Sequence, residues 1–214
     1  MVIYRIDPER IDEEAIKRAA SALRRGKLVI FPTETVYGLA ADAFDAGAAA
    51  RVYAAKRRPL TEALPVQIGE KEDIKKVAAS VPEPGRKLID RFFPGPLTLV
   101  LIKNPNVPEI VTANGPKIGV RMPNHPVALE LIWEFDRPII ATSANISGGL
   151  EPRTAADAVA QLGESVEVVL DAGQAALGQP STVVDVTEEP PRILRRGALA
   201  VEQIVAVIGE VQEQ

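Results

Sequence analysis

Residues 26–39 read Gly-Lys-Leu-Val-Ile-Phe-Pro-Thr-Glu-Thr-Val-Tyr-Gly-Leu. The apolar run at 28–31 predicts a buried strand, and Pro32 ends it just before two threonines and a glutamate. Upstream, Asp12 is a helix cap ahead of Ala15, Ile16, Ala19, Ala20 and Leu23 at helical spacing, and Gly26 supplies the left-handed residue wanted past the helix end. Downstream, a second helix is predicted over 47–56; it must stop before Pro59, because proline disfavours the helical conformation of the residue preceding it. A helix, a buried strand, a polar turn and another helix make the repeating unit of an α/β layer structure. Taken alone, the polar segment 32–38 reads either as an edge strand with a turn or as the mouth of a site.

The alternation continues outward. Strands are predicted over 66–68, 97–103, 118–122, 139–142, 168–171, 182–186 and 192–195, and helices over 74–79, 84–93, 126–135, 155–162 and 201–208. The short connection 187–191 suits an antiparallel pair, so the fold class is α/β, a twisted mixed parallel and antiparallel sheet with packed helices. The eighteen prolines fall at predicted element ends, where they punctuate a folded chain, and residues 1–214 are expected to form one domain.

The composition, 46% hydrophobic and 25% charged over 214 residues, gives no support to a fibrous or disordered chain. There is no cysteine and only one histidine, which removes disulfides, thiolate metal sites and cysteine nucleophiles. A net charge of −4 argues against a protein that mainly coats nucleic acid or an anionic membrane, although it leaves room for a local basic pocket. The start, Met-Val-Ile-Tyr-Arg-Ile-Asp, lacks the pattern of a signal peptide, and no apolar run approaches a membrane span, so a cytoplasmic protein without membrane contact is expected.

Glycine-rich phosphate loops, His-Glu-x-x-His and Gly-x-Ser-x-Gly are all missing. His125, in Pro-Asn-His-Pro, reads as a structural residue at a helix start. Polar clusters instead follow the apolar strands, where open α/β sheets build their sites. Lys56-Arg57-Arg58 is either a solvated helix end or an anion clamp. Arg121, alone in an apolar strand, needs a partner: a structural ion pair or a bound carboxylate. Residues 141–148, Ala-Thr-Ser-Ala-Asn-Ile-Ser-Gly, are small enough to let backbone groups approach a ligand, and they are also ordinary loop residues. Segments 180–185 and 194–197 complete the set. Phe-Phe-Pro-Gly-Pro at 92–96 reads as packing and turn geometry.

In this order, Pro-Thr-Glu-Thr-Val-Tyr-Gly-Leu, Lys-x-Arg-Pro, Phe-Pro-Gly-Pro-Leu-Thr, Val-Arg-x-Pro-Asn-His-Pro, Ser-Ala-Asn-x-Ser-Gly, Pro-Ser-Thr-Val-Val-Asp and Arg-Arg-Gly resemble the YrdC-like threonylcarbamoyl-AMP synthases over about residues 26–197. The resemblance implies a sheet around a positively lined cavity. It also implies an enzyme that converts L-threonine, bicarbonate and ATP to threonylcarbamoyl-AMP and pyrophosphate, with Mg2+ carried on the ATP. By the same resemblance Lys56 and Arg58 are catalytic; Lys56, Arg58, Lys117, Ser143, Asn145 and Arg195 bind ATP; and Thr35, Arg121, Ala141 and Ser181 bind threonine. Glu62 and Gln67 stand where many relatives place an asparagine and a histidine that touch ATP and threonine, and those two roles are not carried over. Partners implied are the downstream proteins that transfer threonylcarbamoyl to tRNA. Competing implications are an RNA contact on the basic concavity, and the carbamoyl-adenylate chemistry of hydrogenase maturation proteins, whose cysteine-rich modules this sequence lacks. The acids, by contrast with the clustered cations, are expected to face solvent.

Overall fold

The computed structural model describes residues 1–213. Its first helix shows how local chemistry sets the elements. In α1 (Glu13–Arg24) the Asp12 carboxylate accepts from the Glu14 and Ala15 amides, acids occupy the first turn and Arg24 the last, which complements the helix dipole. Asp12→Ala should cost about 1 kcal/mol, read as a fall of roughly 2–4 °C in Tm.

One sheet of eleven strands carries the chain: β1 (Val2–Arg5), β2 (Val29–Phe31), β3 (Gly38–Asp42), β4 (Val66–Gln67), β5 (Leu97–Ile102), β6 (Lys117–Arg121), β7 (Ile139–Ser143), β8 (Val168–Asp171), β9 (Thr182–Asp185), β10 (Arg192–Arg195) and β11 (Gln212–Glu213). Their order is β1-β8-β2-β3-β7-β4-β6-β5-β9-β10-β11, with parallel and antiparallel pairs mixed. The pair β9–β10 is antiparallel, as its short connection demands. The remaining helices are α2 (Ala46–Lys56), α3 (Ile74–Val77), α4 (Glu83–Phe92), α5 (Pro126–Phe135), α6 (Ala155–Leu162) and α7 (Val201–Ile208). None of the described helices is long and apolar enough to cross a membrane.

Residues paired across neighbouring strands share a face, so the register separates the two sides of the sheet. Ala41, Ile140, Val66, Val120, Leu99, Val184 and Ile193 form one continuous apolar row across seven strands. This face is the main core, packed under α2, α4, α6 and α7 through residues such as Val52, Leu88, Ala158 and Ile204. On the other face, α1 and α5 pack on Val29, Ala40, Ala141 and Val168. That second core covers only the half of the sheet from β8 to β7. Beyond it the alternate residues of β4, β6, β5 and β9 lie under no helix, and a cavity opens there.

Two expectations are corrected. Segment 32–37 is a turn and lines the cavity, but the strands it joins, β2 and the fully buried β3 (Gly38–Asp42), are inner strands of the sheet, not an edge. The acids do not all face solvent: Glu34, Asp42 and Asp185 are buried, each beside a cation.

Candidate active site

Strand alternation builds the cavity floor. Leu97, Leu99 and Leu101 point into the main core, while Thr98 and Val100 line the cavity; Ile118 and Val120 point in, while Gly119 and Arg121 line it. The space measures about 520 Å³, within the usual range for a small-molecule site. Every residue singled out by resemblance lines it except Lys117. That lysine sits at the start of β6, where its ammonium donates to Asp185 at 2.7 Å and Glu188 at 3.0 Å, and Asp185 foremost raises its pKa. Two of its three N–H donors are thereby taken by carboxylates of the chain itself.

Of the two readings of Arg121, the ion pair is present, with Glu34, and the same side chain lines the cavity. Its Nε donates to the Gly95 carbonyl at 3.0 Å and its Nη1 to Thr35 Oγ1 at 2.9 Å. Nη2 lies 2.7 Å from Glu34 Oε2, yet the approach is not aligned as a hydrogen bond, and Nη2 and both Glu34 oxygens are without an aligned partner. The Phe-Pro-Gly-Pro turn therefore does more than pack, since its glycine carbonyl fixes the guanidinium. Next to Arg121 on the parallel strand β4 stands Gln67, buried, with Oε1 lacking a partner. Thr35 also shares a 2.8 Å hydrogen bond with Thr33.

The second wall is cationic. Helix α2 ends at Arg57, whose φ of 50° and ψ of 40° place a non-glycine residue in the left-handed region. The turn leaves Arg57 exposed, and Lys56 and Arg58 on either side of it line the cavity. Arg58 is tied to the next loop, donating to the carbonyls of Glu62 at 3.1 Å and Ala63 at 2.9 Å and pairing with the Glu62 carboxylate at 3.2 Å. Arg195, across the cavity, donates through Nε and Nη2 to the Ser181 carbonyl and through Nη2 to Ser181 Oγ. Ser181 Oγ is in turn 2.8 Å from Thr98 Oγ1. Burial lowers the pKa of Arg195, and the fields of Arg121 and Arg58 act in the same direction, against Glu151.

Lys56 is 2% exposed. Burial, with Arg58 adding to it, lowers its pKa to about 8. Its Nζ donates to the carbonyls of Ser143 at 2.5 Å and Asn145 at 2.6 Å, and lies 3.4 Å from Asn145 Oδ1. Ala141 and Ser143 line the cavity from β7, and Asn145 from the loop that follows.

Thr33, Thr98, Ser147 and Glu151 also line the cavity and were not assigned from the sequence. Thr98 had one available signal, a polar residue at an alternate position of an otherwise apolar strand. His125 is outside the lining, at the cap position of α5 without a capping bond. Burial lowers its pKa, with Glu34 pulling the other way.

The comparisons with known proteins agree with this geometry. A family model, Sua5_yciO_yrdC, described as "Telomere recombination", matches residues 21–197. The threonylcarbamoyl-AMP synthase of Pyrococcus abyssi is 46% identical over 204 residues, covering 95% of this chain and 60% of that protein. That of Bacillus subtilis is 39% identical over 201 residues, covering 94% of this chain and 58% of that protein. The crystal structure of P. abyssi Sua5 complexed with L-threonine superposes with a TM-score of 0.97 at 44% identity, covering 100% of this chain and 63% of that one. The chain thus spans about three fifths of the length of these relatives. With the match running through both the cavity floor on β5 to β7 and the cationic wall at 56–58, the chain belongs to the Sua5/YciO/YrdC family.

Proposed function

We propose that this chain forms threonylcarbamoyl-AMP from L-threonine, bicarbonate and ATP, with release of pyrophosphate. The observation that carries the reading is the placing of Arg121 on the floor of one cavity whose walls bring Lys56, Arg58 and Arg195 around it. An amino-acid carboxylate and a polyphosphate are the two anions such an array suits, and the relatives' names and the threonine complex of P. abyssi Sua5 supply the pairing.

In this reading Arg121 holds the threonine carboxylate. Thr35, Ser181 and the backbone at Ala141 surround the rest of the amino acid. The neutral amine attacks the carbon of bicarbonate, an N–C bond forms as a C–O bond breaks with loss of water, and the resulting carbamate presents an anionic oxygen to the α-phosphorus of ATP. A carbamate O–P bond forms, the bond from the α-phosphorus to the α,β-bridging oxygen breaks, and its electron pair leaves with pyrophosphate. The nucleophile carries its charge already, so this step needs no general base, and the chain's contribution is alignment and charge neutralisation. Arg58 and Arg195 face the phosphates, with Ser143 as a neutral donor and the buried charge of Lys56 behind it. Mg2+ enters on the triphosphate: the described residues offer no cluster of three carboxylate or imidazole ligands, which suits an ion held chiefly by phosphate oxygens and water. The product is a mixed anhydride that water destroys, so the reaction that consumes it is a prompt acyl transfer to an amine, here assigned to the proteins that modify tRNA.

Pyrophosphate release from ATP should require both threonine and bicarbonate. Release indifferent to threonine would overturn the reading. A second outcome follows from Lys56. Its ammonium is charged below about pH 8 and neutral above. If only the charged form supports the nucleotide, ATP affinity measured by calorimetry without threonine should fall up to about tenfold between pH 7 and pH 9. An affinity that stays flat across that interval would show that the charge is dispensable.

A further inference from the structure

We infer that Lys56 and Asn145 act together as a positioning unit that shapes the nucleotide-facing loop, and that neither is a phosphate ligand. The inference rests on the proposed ATP site and assigns these two residues a role different from the one implied by resemblance.

A lysine ammonium has three N–H donors and no acceptor. In Lys56 the three acceptors within reach are Ser143 O, Asn145 O and Asn145 Oδ1, all protein atoms. Lys56 is 2% exposed although it borders the cavity, and its three donors are already directed at these three protein atoms. The contact is returned by the backbone, since the Ser147 amide donates to the Lys56 carbonyl at 2.9 Å. Asn145 closes the arrangement. While its Oδ1 faces the ammonium, its Nδ2 donates to the carbonyls of Ile146 and Gly149, each at 3.0 Å. The end of α2 and residues 143–149 are thereby cross-linked at both side-chain and backbone level.

Lys56 and Asn145 border the cavity with their donors and acceptors turned to one another and to the backbone, and what they hold towards it is the loop. Ser143, Ser147, Gly148 and Gly149 line it. Ser147 Oγ is buried without a partner. Such small groups touch a nucleotide only if the loop keeps its shape, and the loop has few other anchors: the Ala144 amide on Tyr37 O, and Gln161 on Ile146 and Leu150. Arg58, two residues from Lys56 but on the other side of the left-handed turn, keeps its guanidinium on the cavity wall and is the direct phosphate cation.

Two independent ligands and one shared cross-link differ in additivity. Residues that act through the same contact give a double variant little worse than the worse single one, whereas independent ligands multiply. The test is a cycle of Lys56→Met, Asn145→Ala and the double variant, read as Kd for ATP by calorimetry, together with amide hydrogen exchange of the ligand-free proteins. Each single variant should weaken ATP binding about 10- to 30-fold, the double by no more than about twofold beyond the worse single. Both singles should speed exchange at 144–149 while α1 and α5 stay protected. A multiplicative loss of about 100-fold or more, with exchange at 144–149 unchanged, overturns the inference. The exchange measurement uses no nucleotide, so failure of the parent chain to bind ATP would count against the proposed function and leave this result readable. If Lys56→Met does not fold, Lys56→Gln and Asn145→Ser carry the same cycle with the same expectations.

Discussion

Replacing Arg121 by methionine should raise the KM for threonine roughly 100-fold while ATP affinity, measured alone, stays within about threefold of the parent value. The magnitude is that of removing one side of a desolvated charge pair, about 3 kcal/mol, at 1.4 kcal/mol per decade. The substitution also strips Glu34 of its cation. Both side chains are buried, 7% and 11% exposed, and a carboxylate left alone there costs stability on the order of 3–5 kcal/mol. A loss of activity could then be a loss of fold, and the double variant Arg121→Met with Glu34→Gln separates the two. It removes both charges, so stability should recover most of the deficit. The threonine KM should stay high, because the carboxylate seat is still gone. Recovery of threonine use in the double variant would mean that Arg121 serves only to neutralise Glu34. Equal losses for threonine and ATP in the single variant would remove Arg121 from the amino-acid side of the site.

Gly197→Ala should lower stability by about 2–3 kcal/mol, a Tm decrease of roughly 4–12 °C, and reduce kcat/KM for threonine at least about tenfold. A Cβ at this position would lie less than 3.0 Å from the carbonyl oxygens of Pro180 and Ser181. Those are backbone atoms of a segment clamped from both sides: the Ala198 amide donates to Pro180 O, the Gly197 amide to Thr182 Oγ1, and Arg195 to Ser181 O. The methyl can be accommodated only by moving 180–181 off the β9–β10 seam. That shift carries Ser181 away from Thr98 and Arg195 away from the cavity, so stability and threonine use fall together. A variant with parent Tm, measured by calorimetry or circular dichroism, would show that the seam yields more easily than its hydrogen bonds suggest.

Much of the secondary structure was legible from local chemistry. The helices Pro126–Phe135, Ala155–Leu162 and Val201–Ile208 begin and end where periodicity and proline placed them. The Thr154 cap, reciprocated by Asp157, shows why such ends are local: both partners lie within four residues. Segment Gly38–Asp42 was not legible. Gly-Leu-Ala-Ala-Asp has weak strand propensity, and only pairing with β2 and β7 on either side makes it a strand. The site divides in the same way. Lys56, Arg58, Arg121 and Arg195 could be named as cations wanting anions, but Lys117 carried the same signal and found its anions in Asp185 and Glu188, 68 and 71 residues away.

The sequence by itself determined all the longer helices and most of the strands, the α/β class, the family resemblance and the residue kinds of the cavity, because each depends on neighbours a few positions apart or on the ordered motif set; the strands β1, β3 and β11 were left to pairing. Only the tertiary structure decided which charges line the cavity and which, like Lys117, are turned to carboxylates outside it. Thr35 meets Arg121 across 86 residues and Lys56 meets Ser143 across 87, through a strand order that interleaves the two halves of the chain. The cavity itself has the same origin: α1 and α5 cover one half of a sheet face, and the polar alternate residues of the other half are left uncovered.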